Sequence, residues 1–187
     1  NVLNQEVVNR KEEEKQELVS LVKLMRRNLE LAEQLCVTLA EELDFVKTYI
    51  DLERRSLGAT FHPVIEIAGD VLPESVWLPS MMIQIPVENS VKHALRGKEG
   101  KRNLWIAADR REGGVCIRIT DNGGGYHPES RNRGTGTGMK VIMQTIQILN
   151  MKNQAAIDIS VHNVTLPSGE TGCEVTFLLP DKYDYRI

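Results

Sequence analysis

Three short blocks carry the groups with which this chain could do chemistry. They are Glu88-Asn89-Ser90-Val91-Lys92-His93, then Asp121-Asn122-Gly123-Gly124-Gly125, then, nine residues on, Gly134-Thr135-Gly136-Thr137-Gly138. Together they read as a nucleotide site. The alternating run Ile117-Arg118-Ile119-Thr120 predicts a strand, so the carboxylate of Asp121 stands where a strand gives way to glycines. A carboxylate there can accept a hydrogen bond from an exocyclic amine such as adenine's. Glycines without Cβ let the backbone approach a planar base and take positive φ. The third block opens a helical pattern of Met139, Ile142, Met143, Ile146 and Leu149, so its N–H groups can face phosphate oxygens.

A nucleoside triphosphate also needs charge compensation. Mg²⁺ keeps several waters and takes one or two protein oxygens along with the phosphates. Asn89 offers a neutral oxygen for that role, from a helix where Asn is otherwise mildly unfavourable. Positions 85, 89, 92 and 93 share a helical face. Lys92 and His93, a turn further on, are candidate phosphate contacts, the alternative being a solvated lysine and a surface histidine. Glu88 either bonds to a metal-bound water or faces solvent. Thr176 is a candidate contact to the adenine edge, although a strand threonine commonly has no such role. Neither a G-x-x-x-x-G-K-[ST] loop nor a G-x-G-x-x-G fingerprint occurs, so the site is not of those two kinds.

The elements that must position these blocks follow from periodicity and punctuation. Residues 5–57 contain neither Gly nor Pro and repeat apolar residues at helical spacing, from Leu18, Leu21, Val22 and Met25 to Leu39, Leu43, Val46 and Ile50. Such a seam is completed by a second copy or by the chain's own domain. Thr38 with Glu41 forms a capping-box pattern, predicting a break and restart there, and Gly58 ends the helix. A strand is predicted over 61–68 and a helix over 81–95, capped by Ser80, with Pro86 kinking it or marking its first turn. Strands 104–109 and 115–120 form a hairpin at Gly113-Gly114. Residues 122–133 read as a mobile lid. A helix over 138–149 and a strand pair, 156–164 and 173–179, complete the pattern, followed by a polar tail predicted to fray. The order implies a mainly antiparallel sheet with helices on one face.

Composition narrows the function. A net charge of -3 supplies no electrostatic footprint for nucleic acid. Cys36, Cys116 and Cys173 have no CxxC spacing, which points to a reducing, cytosolic setting without a zinc site. No apolar run reaches the length of a membrane span. The chain begins with Asn rather than Met, so it is read as a piece of something longer, with any membrane part outside it.

An Asn on a helix, then D-x-G-x-G, then G-x-G-x-G resembles the N, G1 and G2 boxes of the Bergerat ATP-binding fold shared by gyrase, the heat-shock chaperone, histidine kinases and MutL. Residues 82–95 (MIQIPVENSVKHAL) resemble the "LQPLVENAIKHGL" box of LytS-type sensor histidine kinases, and 39–53 (LAEELDFVKTYIDLE) resemble that family's "L-x-x-E-L-x-x-V-x-x-Y-L-x-I-E" helix. Asn1-Val2-Leu3-Asn4 is similar to the end of "P-H-F-L-F-N-x-L-N", and residues 21–26 to "L-S-x-L-L-R". The resemblance implies an α+β fold class, a helical dimerisation region over 1–57 followed by an ATP-binding catalytic domain over 58–187 built as a two-layer sandwich. It also implies Asn89 as the Mg²⁺ ligand, Lys92 and His93 as a phosphate-facing pair, and Asp121 as the adenine-binding residue. Gly123 and Gly125 would serve as G1, and Gly134, Gly136 and Gly138 as G2.

Some positions depart from the family. The phosphoacceptor His would lie four residues before Asn1, the "R-F" closing the helix is Ser56-Leu57, and the Gly-Thr near the end is Gly172-Cys173. Hydrolysing members of the superfamily place a general-base Glu one turn before the Asn, where this chain has Ile85, which cannot activate water. Phosphoryl transfer to a His, with ATP and Mg²⁺ as cofactors, is therefore expected over efficient hydrolysis. The implied partners are a second copy through the N-terminal helices and a response regulator, of LytTR type in this family. The implied location is the cytoplasmic side of a membrane sensor. An ATPase of the same fold and a non-catalytic dimerisation and docking module are the alternatives.

Overall fold

The computed structural model describes residues 8–16, 18, 19, 21, 22, 34–127 and 136–186. Along the chain run β1 (Cys36–Thr38), α1 (Leu39–Leu57), a 3₁₀ turn (Gly58–Thr60), β2 (Phe61–Ile67) and β3 (Trp77–Pro79). There follow α2 (Gln84–Asn89), which continues as a π-helical segment (Ser90–Leu95), then β4 (Arg102–Arg111), β5 (Gly114–Asp121), α3 (Gly136–Met151), β6 (Asp158–Thr165) and β7 (Thr171–Pro180). The strands with period-two alternation form one five-stranded sheet in the order β2-β4-β5-β7-β6. Every pairing in it is antiparallel except β2 with β4, whose crossover carries α2.

α1, α2 and α3 lie on one face. Leu104, Ile106 and Ala108 of β4, Ile117 and Ile119 of β5, and Val175 and Phe177 of β7 point into a core that they share with Ile142 and Ile146 of α3 and Val87, Val91 and Leu95 around α2. α1 joins the same core. The sequence places it in the dimerisation region, yet its apolar seam of Leu39, Leu43, Val46 and Ile50 is covered by the chain's own sheet and helices. Each such burial contributes roughly 1.5–3 kcal/mol. Of the predicted seam, Leu18, Leu21 and Val22 remain exposed.

Residues 8–16 are helical, within the helical region expected over 5–57. The break at Thr38 is real and wider than the capping box implied. Thr38 accepts from the Glu41 N–H and donates its own N–H to Glu41. Before it, β1 pairs antiparallel with β3, using backbone that a helix would have occupied. The predicted cap at Ser80 is also absent: helix α2 starts at Gln84, and the Ser80 hydroxyl bonds instead to the carbonyl of Gln34. Pro86 falls in the first turn, where its missing N–H costs nothing. The polar tail is tied down rather than frayed, with Tyr183 Oη donating to Asn150 Oδ1 at 2.6 Å and the Asp184 N–H to Asn153 Oδ1 at 2.7 Å.

Candidate nucleotide-binding site

The helical stretch 84–95 is the hub of the site. Each of the glycine and aspartate blocks touches it at a different turn. Ser90 Oγ donates to Asp121 Oδ2 at 2.8 Å. A Cβ on Gly123 would stand 2.3 Å from the Ala94 Cβ and 2.8 Å from its Cα, so only glycine lets the loop lie against this turn. A Cβ on Gly138 would stand 2.9 Å from Ile85 Cγ2, which brings the start of α3 against the turn preceding Asn89. The widening to a π-helix follows directly after Asn89, with the Arg96 N–H reaching back to the Val91 carbonyl. Such π segments interrupt α-helices frequently at functional sites.

Asp121 ends β5 and is 3% exposed. Its Oδ1 accepts the Gly123 N–H at 2.8 Å while Oδ2 takes the Ser90 hydroxyl. Burial pushes its carboxyl up, and the N–H groups of Gly123 and Cys173 and the Ser90 hydroxyl pull it back down. Its neighbour Asn122 does structural work: Oδ1 accepts the Asn103 N–H at 2.8 Å and Nδ2 donates to the Lys101 carbonyl at 3.0 Å. The Gly124 N–H bonds to the Thr171 carbonyl at 3.0 Å, and Gly125, at φ 90°, sits beside the Asn163 amide. Residues 122–127 are thus anchored to the sheet, so the predicted lid does not begin at 122. Positions 128–135, including Gly134, lie outside the described residues; Gly136 is the first residue of α3.

The phosphate side is differently made. Among the described residues, no group hydrogen-bonds the half-buried Asn89 amide. Lys92 Nζ pairs with Glu88 Oε2 at 2.7 Å, and Glu88 Oε1 accepts from Gln84 Nε2 at 2.8 Å, so both carboxylate oxygens of Glu88 are occupied within the helix. His93 is exposed one position further on. An unpartnered, neutral amide oxygen beside a half-exposed lysine is a donor set that fits a hydrated Mg²⁺ and phosphates. The carboxylate of Asp121, itself fixed by two donors, fits an amine-bearing base.

Thr176 does not join them. Val175, Phe177 and Leu179 point to the helices, so the pleat turns Thr176 to the opposite face of the sheet, beside Arg118 and Ser160. The β7 residue on the correct face is Cys173, paired in register with Asp121. Its thiol is pushed up to about 11 by burial and by the Asp121 and Glu174 carboxylates, which keeps it protonated. Two further residues support Asp121. Ser90 sat unassigned within the first block, and Gly172 is required because a Cβ there would stand 2.0 Å from the Asp121 carbonyl oxygen. A glycine inside a strand is the sequence signal for such close backbone approach.

This arrangement of an Asn-bearing helix, a strand-end Asp and a glycine-opened helix on one face of a mixed sheet is that of an ATP-binding catalytic domain. The family of histidine kinase-, DNA gyrase B-, and HSP90-like ATPases is matched over residues 79–183, and the histidine kinase family over residues 1–61. The chain belongs to the former family. The Sensor protein LytS of Bacillus subtilis (strain 168) is 29% identical over 175 residues, covering 87% of this chain and 28% of the relative. That of Staphylococcus saprophyticus is 30% identical over 116 residues, covering 62% of this chain and 19% of the relative. The chain therefore spans less than a third of these relatives. Among solved structures, the histidine kinase domain of a blue-light activated kinase from Erythrobacter litoralis shares the fold, with a TM-score of 0.56 at 14% identity over 88% of this chain and 74% of that one. Histidine kinase ThkA in complex with response regulator protein TrrA gives a TM-score of 0.51 at 13% identity over 92% and 50% of the two chains.

Proposed function

We propose that this chain is the ATP-binding core of a two-component sensor histidine kinase, acting from the cytoplasmic side of a membrane sensor. The observation that carries the reading is the convergence of the Asp121, Gly123 and Gly138 blocks on successive turns of the one helix that bears Asn89. Asp121 accepts the adenine amine. Asn89 holds Mg²⁺, with Glu88 reaching a bound water, and Lys92, His93 and the Gly134-to-Gly138 segment face the phosphates. When bound, Mg²⁺ neutralises charge on the β- and γ-phosphates. The chain's own residues orient ATP, and a His imidazole expected upstream of Asn1 attacks the γ-phosphorus, forming a P–N bond as the bond to the β,γ-bridging oxygen breaks and ADP leaves.

Ile85 favours transfer over hydrolysis. It occupies the position of the hydrolysing members' base, and its methyl group is committed to packing against Gly138. A response regulator is the acceptor in this reading, in keeping with the complex that ThkA, of the same fold, makes with response regulator protein TrrA, and a LytTR-type regulator is the specific form proposed here. Dimerisation falls to residues before 34, since the seam of α1 is already covered. Among the described residues no helix is long and apolar enough to cross a membrane. Titration calorimetry of ATP with and without Mg²⁺ tests the site: saturable, Mg²⁺-enhanced binding is expected, and a folded chain that binds no ATP overturns the reading. Extending the chain upstream through the expected His should then permit labelling by γ-labelled ATP; an extended chain that binds ATP but stays unlabelled argues against the kinase.

A further inference from the structure

Behind Asn89 lies a buried carboxylate that the proposed chemistry does not use. Glu42, in the first turn of α1, has no exposed surface. Its Oε1 accepts the Met81 N–H, and its Oε2 accepts the N–H groups of Ile83 and Gln84 at 3.2 Å each. The N–H groups of Ile83 and Gln84 are donors that a helix N-terminus leaves without partners, and that of Met81 belongs to the turn leading into it. α2 has no cap of its own, because Ile83 stands at the N-cap position and has no side chain to accept them. The cap comes instead from another helix, across 39 to 42 residues of chain. Met81 is meanwhile held at φ 69°, a left-handed conformation that no other described non-glycine residue adopts.

Capping from α1 in this way takes a carboxylate wholly out of water, which is costly unless its oxygens are satisfied. Desolvation pushes the Glu42 carboxyl up to about 7 in spite of its three N–H donors. The arrangement is intelligible if the link between helices is itself what matters. A second link supports this: Arg96 Nη2, just past the π segment, pairs with Glu53 Oε2 of α1 at 2.7 Å. α1 therefore grips both ends of the helix that carries Asn89, Ser90, Lys92 and His93. At its N-terminal end α1 leads back through β1 toward the residues that precede it in the kinase.

We propose that Glu42 is a positioning residue of the nucleotide site: by capping α2 from α1 it sets where Asn89 stands relative to Asp121, so that displacement of α1 alters the metal-dependent part of ATP binding. The inference rests on the ATP reading above. Asp121 is held by β5 and the Gly123 N–H as well as by Ser90, whereas Asn89 takes its place from its helix, which Ser90 ties to Asp121 and Glu42 and Arg96 tie to α1. A loosened helix start should thus disturb the metal side before the base side.

The test uses Glu42→Gln, which keeps the volume and one acceptor oxygen, with Glu42→Ala beside it. Amide hydrogen exchange is followed at Met81, Ile83 and Gln84, and ATP affinity is measured with and without Mg²⁺. Exchange at the three amides is expected to speed up by about tenfold or more. Most of the Mg²⁺-dependent gain in affinity should disappear, about tenfold, while the metal-free affinity stays at the wild-type value. Two results overturn the proposal: a folded Glu42→Gln with a wild-type Mg²⁺-dependent gain, or equal loss of metal-free and metal-bound affinity, as general loosening would give. If Glu42→Ala does not fold, the Gln variant decides. Failure of the ATP reading looks different, because wild type would then bind no ATP, while the three amides would still report whether Glu42 caps the helix.

Discussion

The two ends of the proposed ATP site, a base end at Asp121 and a phosphate end at Asn89, are built on opposite plans. At the base end, Asp121 is buried, both of its oxygens are engaged, and the loop behind it is pinned by Asn122 and by the Gly124 N–H. At the phosphate end, Asn89 makes no side-chain hydrogen bond among the described residues, Lys92 is paired only within its own helix turn, and His93 is exposed. The base end can be completed by folding alone, because a neutral base demands shape and one acceptor. The phosphate end must accommodate a multiply charged group with its cation, and groups already satisfied by the protein would have to break bonds to do so. Leaving them unsatisfied but near water costs little.

That contrast predicts a graded set of effects. Asp121→Asn should be the most damaging for binding, weakening ATP by on the order of 100-fold with and without Mg²⁺ alike, because an amide presents a donor where the base presents one too. Calorimetry on both forms checks it, and a loss confined to the Mg²⁺ form would move Asp121 to the wrong end. Acidification should imitate this variant. Since burial raises the Asp121 carboxyl, ATP affinity should decline at a pH above that at which an ordinary aspartate protonates.

Gly123→Ala should act through packing. Its new Cβ meets Ala94 at 2.3 Å, and separating the loop from the helix should cost about 1–3 kcal/mol, visible as a lower melting temperature. An unchanged melting temperature would mean that the loop is not seated there. Asn89→Ala should reverse the pattern: melting unchanged, metal-free ATP affinity unchanged, and about a tenfold loss of the Mg²⁺-dependent gain. A large stability change would reveal a protein partner for the amide. Lys92→Ala should weaken ATP only a few-fold, with the loss shrinking as salt is raised, since its pair with Glu88 is half exposed and contributes at most about 1 kcal/mol. Thr176→Val should change ATP affinity by less than about 0.5 kcal/mol, because the residue faces away; a larger change would contradict the assignment of the two sheet faces.

The elements that carry the candidate site are legible in the sequence because their signals are local. The strand before Asp121 and the helix around Gly138 are matters of turn chemistry and periodicity, and they appear where expected with boundaries shifted by a few residues. Thr176 was misplaced although its parity was readable: it alternates with Val175 and Phe177, while Asp121 alternates in phase with Ile117 and Ile119. Residues 122–127 read as lid from their polarity, yet they are anchored, because their partners, such as Asn103, Asn163 and Thr171, lie on other strands.

By itself the sequence determined which residues could bind a nucleotide, the strand and helix that present them, and the family to which they belong. Periodicity and backbone preference act over a few residues and need no partner. Only the tertiary structure decided that the α1 seam closes on its own domain, that Ser90 and Cys173 flank Asp121, and that Glu42 caps the helix bearing Asn89. Each of these joins groups distant in the chain. A buried hydrogen bond or an apolar contact has no preferred sequence spacing; its partner is fixed only when sheet register and helix packing bring the two together.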